Sequence, residues 1–352
     1  MLSGTSLREN IAPSGAEAQL HDLRATLASH QAPVLGHSLG QMASTFLPFF
    51  GLIAAMYALV DISPWLSLAL AIPAAGLIVR IFIIQHDCGH GAFFRSKAAN
   101  EWLGRFCSLF TMTPYANWRR QHANHHAMWN NLDRRSSGAD IYSTCLTVAE
   151  YQALSPRQRW GHRAVRHPLI AQVLLPPLVF LFLYRIPFDT PSAWRRERAS
   201  VFLTDLGLAA LFTGLVLLLG AGPVALVQLP TIMIAAILGV WLFSVQHRFE
   251  TVLWLRQKDW TATSAALFGS SHLRLPRVLQ WFSGNIGFHH IHHLLPRVPN
   301  YRLEACHNAC AALVPGTPSL TLGQALQAPA YALWDEAKER LVRFSEVRTC
   351  TG

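Results

Sequence analysis

Four stretches of this chain are long and apolar enough to dictate the fold before any motif is considered. A helix covers the hydrocarbon core of a bilayer with roughly 20 apolar residues. Met42–Val60 carries no charge, Ile62–Ile84 only Arg80 near its end, Val201–Leu219 only Asp205, and Val224–Gln246 none. In lipid every backbone N–H and C=O must be satisfied within the segment, which leaves a stretch of this kind the helix. Short turns, Asp61-Ile-Ser-Pro64 and Gly220-Ala-Gly-Pro223, join the stretches in pairs. Only 14% of the residues are charged, against roughly 25% in soluble domains. The expectation is an all-α integral membrane protein, four transmembrane helices arranged as two hairpins, with a helical cap on one side.

Charge orients the hairpins. The two turns hold no Lys or Arg, whereas the segment 85–200 holds fifteen and the part after Gln246 holds eleven. Positive residues stay in the cytoplasm, so both segments are expected there. The net charge of +10 therefore reads as membrane topology rather than as a nucleic-acid-binding face, and no nucleic-acid partner is expected. A fifth run, Pro168–Tyr184, is uncharged but carries Pro176-Pro177 in its middle. Were it to cross, Arg185, Arg195, Arg196 and Arg198 would lie outside; it is expected to re-enter or lie along the interface. Residues 1–40 are polar, with no apolar core after a basic start, so no cleavable signal peptide is expected. The six cysteines show no CxxC pair and read as reduced thiols.

The chemistry lies in three histidine clusters that flank these stretches: His86 and His90; His122, His125 and His126; His289, His290, His292 and His293. On a helix, positions i, i+3 and i+4 share a face. Each cluster therefore presents two or three imidazoles on one side of one helix, while His290 breaks the spacing and points off that face, toward an outer supporting role. Three matched clusters on one predicted membrane side leave little room for isolated core histidines. His247 directly follows the last apolar stretch and joins them as a candidate ligand. His162, His167, His272 and His307, like His21, His30 and His37, read as surface or hydrogen-bonding residues. Nine imidazoles exceed what one ion takes, so two ions are implied. Imidazole suits zinc, copper, iron or nickel alike. A site facing lipid suggests an apolar substrate, and attack on an unactivated C–H bond requires a redox metal and dioxygen, which favours iron.

The surrounding residues carry a resemblance. His86-Asp-Cys-Gly-His-Gly-Ala-Phe-Phe94, Thr113-Pro-Tyr-Ala-Asn-Trp-Arg-Arg-Gln-His-Ala-Asn-His-His126, Asn131-Leu-Asp-Arg-Arg135, Val245-Gln-His-Arg-Phe-Glu250, and Gly284-Asn-Ile-Gly-Phe-His-His-Ile-His-His293 running on to Pro299-Asn-Tyr-Arg-Leu303 resemble the membrane fatty-acid desaturases. Within that family they point to the bacterial omega-6/delta-12 acyl-lipid branch. The resemblance covers about residues 40–310. It implies a membrane desaturase domain over 41–310, preceded by a polar cytoplasmic segment 1–40 and followed by a cytoplasmic tail 311–352. It implies two iron ions held by His86, His90, His122, His125, His126, His289, His292 and His293, with His247 as the further ligand that follows the last span. Some relatives place an asparagine one turn before that histidine; here the position is Phe243, and Asn285 is the polar substitute considered. Asp87, Asp133, Asp140 and Glu250 are the carboxylates nearest the histidines, suited to holding the second nitrogen of a ligating ring. Asp133 equally suits an ion pair with Arg134 or Arg135.

The activity so implied is oxygen-dependent insertion of a C=C bond into a lipid acyl chain at the cytoplasmic face of a bacterial inner membrane. Adjacent methylenes differ little chemically, so the protein's share is positioning in a narrow apolar tunnel. Phe93, Phe94, Trp118, Trp281 and Phe288 are candidate walls. The chain carries no haem, flavin or iron–sulfur motif, so electrons are expected from an external carrier such as ferredoxin, drawn to a basic surface. A membrane hydroxylase or ketolase acting on acyl, alkane or carotenoid substrates is the near alternative. A zinc-dependent receptor, hydrolase or transporter is the distant one. A transporter would place ionisable residues within its spans; only Arg80 and Asp205 come close.

Overall fold

The computed structural model describes residues 27–135, 144–310 and 316–347. Four long helices dominate: α1 (Leu35–Leu59) and α2 (Pro64–His90), then, after α3 (Lys97–Thr111), α4 (Tyr115–Met128), α5 (Val148–Ala153), α6 (Pro156–Val165) and α7 (Leu175–Leu181), the second pair α8 (Arg195–Leu219) and α9 (Ala221–His247). The four are long and apolar enough to cross a membrane. The hairpin turns are chemically prepared. Ser63 caps α2 by accepting a hydrogen bond from the Leu66 N–H, with Pro64 at the first helical position. Gly220, at φ 84°, reverses the chain between α8 and α9.

α1, α2 and α8 overrun their apolar stretches at one end, whereas α9 begins three residues before its stretch and ends one residue after it. α2 and α9 have 27 residues each, about 40 Å at 1.5 Å per residue, against a hydrocarbon core of roughly 30 Å. The surplus carries His86, His90 and His247 beyond the apolar stretches without a break in the helix. Gly91, at φ 66°, then ends α2. α2 packs against α1, α3 and α9; 61% of its apolar window is buried, against 17% for α8, most of whose apolar surface is left uncovered by the protein.

The proline-broken run does not form a straight span. Residues Ile170–Leu174 are π-helical and α7 follows. Together with Leu183–Arg185 this segment meets α6 at a bend of 51°. Pro176 and Pro177 lack the N–H groups that would bond the carbonyls one turn back, and the widened turn lies immediately before them.

The remainder forms a cap: α10 (Ala262–Phe268), α11 (Arg277–Phe282), α12 (His289–Leu294), α13 (Leu303–Cys310) and α14 (Leu322–Gln327). It also contains strands, which helical periodicity does not reveal. β1 (Leu146–Thr147) runs parallel to β4 (Tyr331–Asp335) with Leu146 opposite Leu333, and β4 pairs antiparallel with β5 (Arg340–Arg343). β2 (His272–Arg274) runs parallel to β3 (Ser319–Thr321), His272 opposite Ser319. The segment expected as a tail after residue 311 is thus folded onto the domain over its described residues. Ala332, Leu333 and Val342 are buried with Tyr151, and Trp334 enters the main core beside Trp129 and Trp254. β4 and β5 are short strands whose apolar side chains find their partners in distant segments, Tyr151 for some and the main core for others.

Candidate metal centre

Four elements deliver nine imidazoles to one point beneath the long helices. α2 supplies His86 and His90, α4 supplies His122, His125 and His126, the last residue of α9 is His247, and α12 supplies His289, His292 and His293. Two groups separate within the cluster. His86, His90, His122 and His292 bring one ring nitrogen each to within 4.8 Å of one another, as do His125, His247 and His293. His126 Nε2 stands 3.2 Å from His122 Nε2 and 3.0 Å from His292 Nε2, beside the first group. His289 Nε2 stands 2.8 Å from His247 Nε2 and 3.2 Å from His293 Nε2, beside the second.

These distances do not describe a hydrogen-bond network. An imidazole Nε2 carries either one hydrogen or one lone pair. Yet His247 Nε2 lies 3.1 Å from His125, 2.8 Å from His289 and 3.2 Å from His293, in each case from Nε2. One nitrogen cannot bond three others, whereas lone pairs aimed at a shared cation are satisfied together. His90 Nε2 is buried with no hydrogen-bond partner, as a ligand atom waiting on a metal would be. Burial, and after it the neighbouring imidazoles, hold His122, His126, His289, His292 and His293 well below the usual imidazole range. At neutral pH these rings keep the lone pairs that a metal requires. The donor set fits divalent first-row metal ions.

Around the cluster the structure sorts the other candidates. Asp87 Oδ1 lies 3.2 Å from His86 Nδ1. His290 turns away from the cluster; its Nε2 meets His307 Nδ1 at 3.0 Å, and the His272 ring lies tilted near both. Asn285 is also committed elsewhere, accepting from Gln280 Nε2 and donating to the Asn300 carbonyl. Asp133 pairs with Arg256 at 2.8 Å rather than with Arg134, Arg135 or a histidine. Glu250 accepts from Tyr331 Oη and pairs with Arg340. Asp140 and His21 lie outside the described residues.

An apolar cavity of about 340 Å³ reaches the cluster between α2 and α9, where His86, His122, His125 and His289 form part of its wall. Its lining on α9 runs from Ile232 to Gln246, about 21 Å along the helix axis. Of the aromatic residues expected as walls, Trp118 lines it and stacks on His122, ring centroids 4.7 Å apart. The other four do not line it. Phe93 and Phe94 pack together, Trp281 lies under the Arg80 guanidinium at 4.2 Å, and Phe288 stacks on His272. The walls are instead Phe82, Phe110, Phe180, Tyr184, Trp194 and Phe243. Phe82, Trp118 and Phe243 each lie four residues before a candidate ligand, whereas the other aromatic walls lie on segments without one, because the cavity extends along the helices, away from the clusters. Polar groups, Gln121, Asn124 and Asp189, also line it.

Fold and site together define a helical membrane protein with a polyhistidine centre at the end of a long apolar cavity. The comparisons with known proteins agree: the chain matches the family described as "Fatty acid desaturase" over residues 63–320. It is 43% identical over 322 residues to "Fatty acid desaturase" of Bacillus subtilis (strain 168), covering 92% of this chain and 90% of that one. It is 28% identical to the "sn-1 acyl-lipid omega-3 desaturase (ferredoxin)" of Synechocystis sp. and 25% identical to the "sn-1 oleoyl-lipid 12-desaturase" of the same strain. Each of these matches covers 74% of this chain and 72% of the relative. The chain belongs to the fatty acid desaturase family, and is an oxidoreductase.

Proposed function

We propose that this protein carries out oxygen-dependent desaturation of lipid-bound fatty-acyl chains at a centre of two iron ions. His86, His90, His122, His126 and His292 would hold one ion and His125, His247, His289 and His293 the other. Bound there, iron supplies the redox chemistry with dioxygen that removal of hydrogen from an unactivated methylene requires, which zinc does not. The observation that carries this reading is the junction of cavity and cluster: an elongated apolar space with four candidate ligands in its wall.

The residues' own tasks follow from that junction. Phe82, Trp118 and Phe243 line the cavity beside the histidines, where their rings would restrict which methylenes reach the centre. The apolar lining disfavours water and leaves a fatty-acyl chain as the ligand of matching chemistry. Electrons would come from an external carrier; ferredoxin appears in the name of one relative, and the basic segments 85–200 and 247–352 suit an acidic carrier. The same positive segments favour a centre on the cytoplasmic side of a bacterial inner membrane.

Expression in a host lacking polyunsaturated lipids, followed by fatty-acid profiling, tests the reading. Conversion of 18:1 to 18:2 is the expected result. A product with one added oxygen would establish the hydroxylase alternative, and zinc in active protein from iron-replete cells would overturn the iron assignment.

A further inference from the structure

The first membrane helix is not merely an anchor. Ser38, Gln41 and Thr45 lie on one face of α1, and all three are buried. A buried polar side chain in a membrane helix persists where it has a partner. Gln41 has one in the cap: its Nε2 donates to Asn300 Oδ1 at 3.0 Å, and its Oε1 accepts from Asn300 Nδ2 at 3.1 Å. Asn300 Nδ2 also donates to Asp87 Oδ2 at 2.8 Å, and the Asn300 backbone N–H donates to the same oxygen at 2.7 Å. The other Asp87 oxygen lies 3.2 Å from His86 Nδ1. Asn300, Asp87 and His86 are each at most 3% exposed. A continuous buried chain thus links a membrane helix to one imidazole of the nine.

The chemistry of that chain has a direction. Two donors on Oδ2 fix the carboxylate in the plane where Oδ1 takes the Nδ1–H of His86. With the hydrogen on Nδ1, the lone pair is on Nε2, which faces His292 Nε2 at 3.1 Å. We infer that Asn300 and Gln41 are positioning residues: through Asp87 they set the tautomer and aim of His86, and so tune one metal position and not the other. The inference rests on the metal-centre reading above.

Full-length protein in lipid nanodiscs, stripped with chelator and titrated with Co(II) while visible absorption is followed, provides the test. Thermal unfolding of the metal-free protein runs beside it. The wild type takes up two Co(II); if it takes up none, the metal-centre reading fails and this inference with it. In Asn300→Leu, one Co(II) binds about tenfold or more weaker and the other is unchanged, as expected when the outer support of a single ligand is lost. Gln41→Leu/Asn300→Leu replaces both amides with apolar groups. It recovers the thermal midpoint, because no orphaned amide remains, but not the affinity. On an Asp87→Ala background, Asn300→Leu causes no further loss, since the route is already cut. Should Asn300→Leu fail to accumulate, the double variant is read against wild type alone: one weakened Co(II) at the wild-type midpoint supports the inference. With wild type binding two Co(II), affinities within about twofold in Asn300→Leu, or affinity recovered together with stability in the double variant, would reduce the amide pair to packing and overturn it.

Discussion

Single residues at the centre divide by whether their ring nitrogens meet the others. His125 and His292 sit in different groups, and each replaced by alanine leaves one group a ligand short. Loss of desaturated product at normal protein abundance is expected for both, with iron content below two per chain by elemental analysis. His290→Ala is the control: its ring faces His307, so iron content is expected to stay at wild-type level. pH has a definite sign here. Burial and neighbouring imidazoles hold His122, His126, His289, His292 and His293 well below the usual range, whereas in the unfolded chain they titrate near 6.5. Below that value the unfolded state binds more protons than the folded one, so stability falls with pH. The thermal midpoint of metal-free protein is expected to drop steadily between about pH 7 and pH 5.5; a flat profile would show these rings to be no harder to protonate folded than unfolded.

At the scale of elements, two helices combine a membrane-length apolar stretch with candidate ligands in one rigid body. α2 runs unbroken from Pro64 to His90 and α9 from Ala221 to His247, so the phase of each helix fixes where its histidines point. One alanine inserted between Ile81 and Phe82 turns the end of α2 by about 100° relative to its membrane part. Expression with loss of metal is the expected phenotype. α9 also shapes the cavity. A Cβ added at Gly239, one of the lining residues, meets nothing within 4 Å. Gly239→Leu is therefore expected to fold, to keep its iron, and to shift the product profile toward shorter acyl chains in lipid analysis. An unchanged profile would show that the acyl chain does not occupy this part of the space.

Across the whole molecule, the cap holds the centre together from both ends of the chain. α12 is six residues long and has no cohesion of its own; α10, α13 and β2 pack against it. The main core joins Trp129 and Ile291, from the second and third histidine regions, with Trp334 and Leu341 near the C-terminus. Arg248, buried directly after His247, donates to the Tyr331 carbonyl. Removal of residues 331–352 is expected to lower the thermal midpoint and the iron content together; a truncated protein with full iron would show the strands to be dispensable to the site.

What could be read from the residues alone was whatever depends on local periodicity and composition. Apolar length marked the four long helices, and i, i+3, i+4 spacing separated the histidines that converge from the odd one, His290. His247 was legible because an apolar stretch ends on it. Contacts between distant segments were not legible. Nothing local distinguishes Asn300 from any polar residue after a proline, or Gln41 from a boundary residue of a span, and Phe110, Phe180, Tyr184 and Trp194, which line the cavity, lie on segments without a candidate ligand. Those features exist only once distant elements meet, α2, α4, α9 and α12 at the histidines and α1 with the Asn300–Arg302 turn at the amide pair, because a cavity, a histidine cluster and a buried amide pair are properties of the space between elements rather than of any one of them.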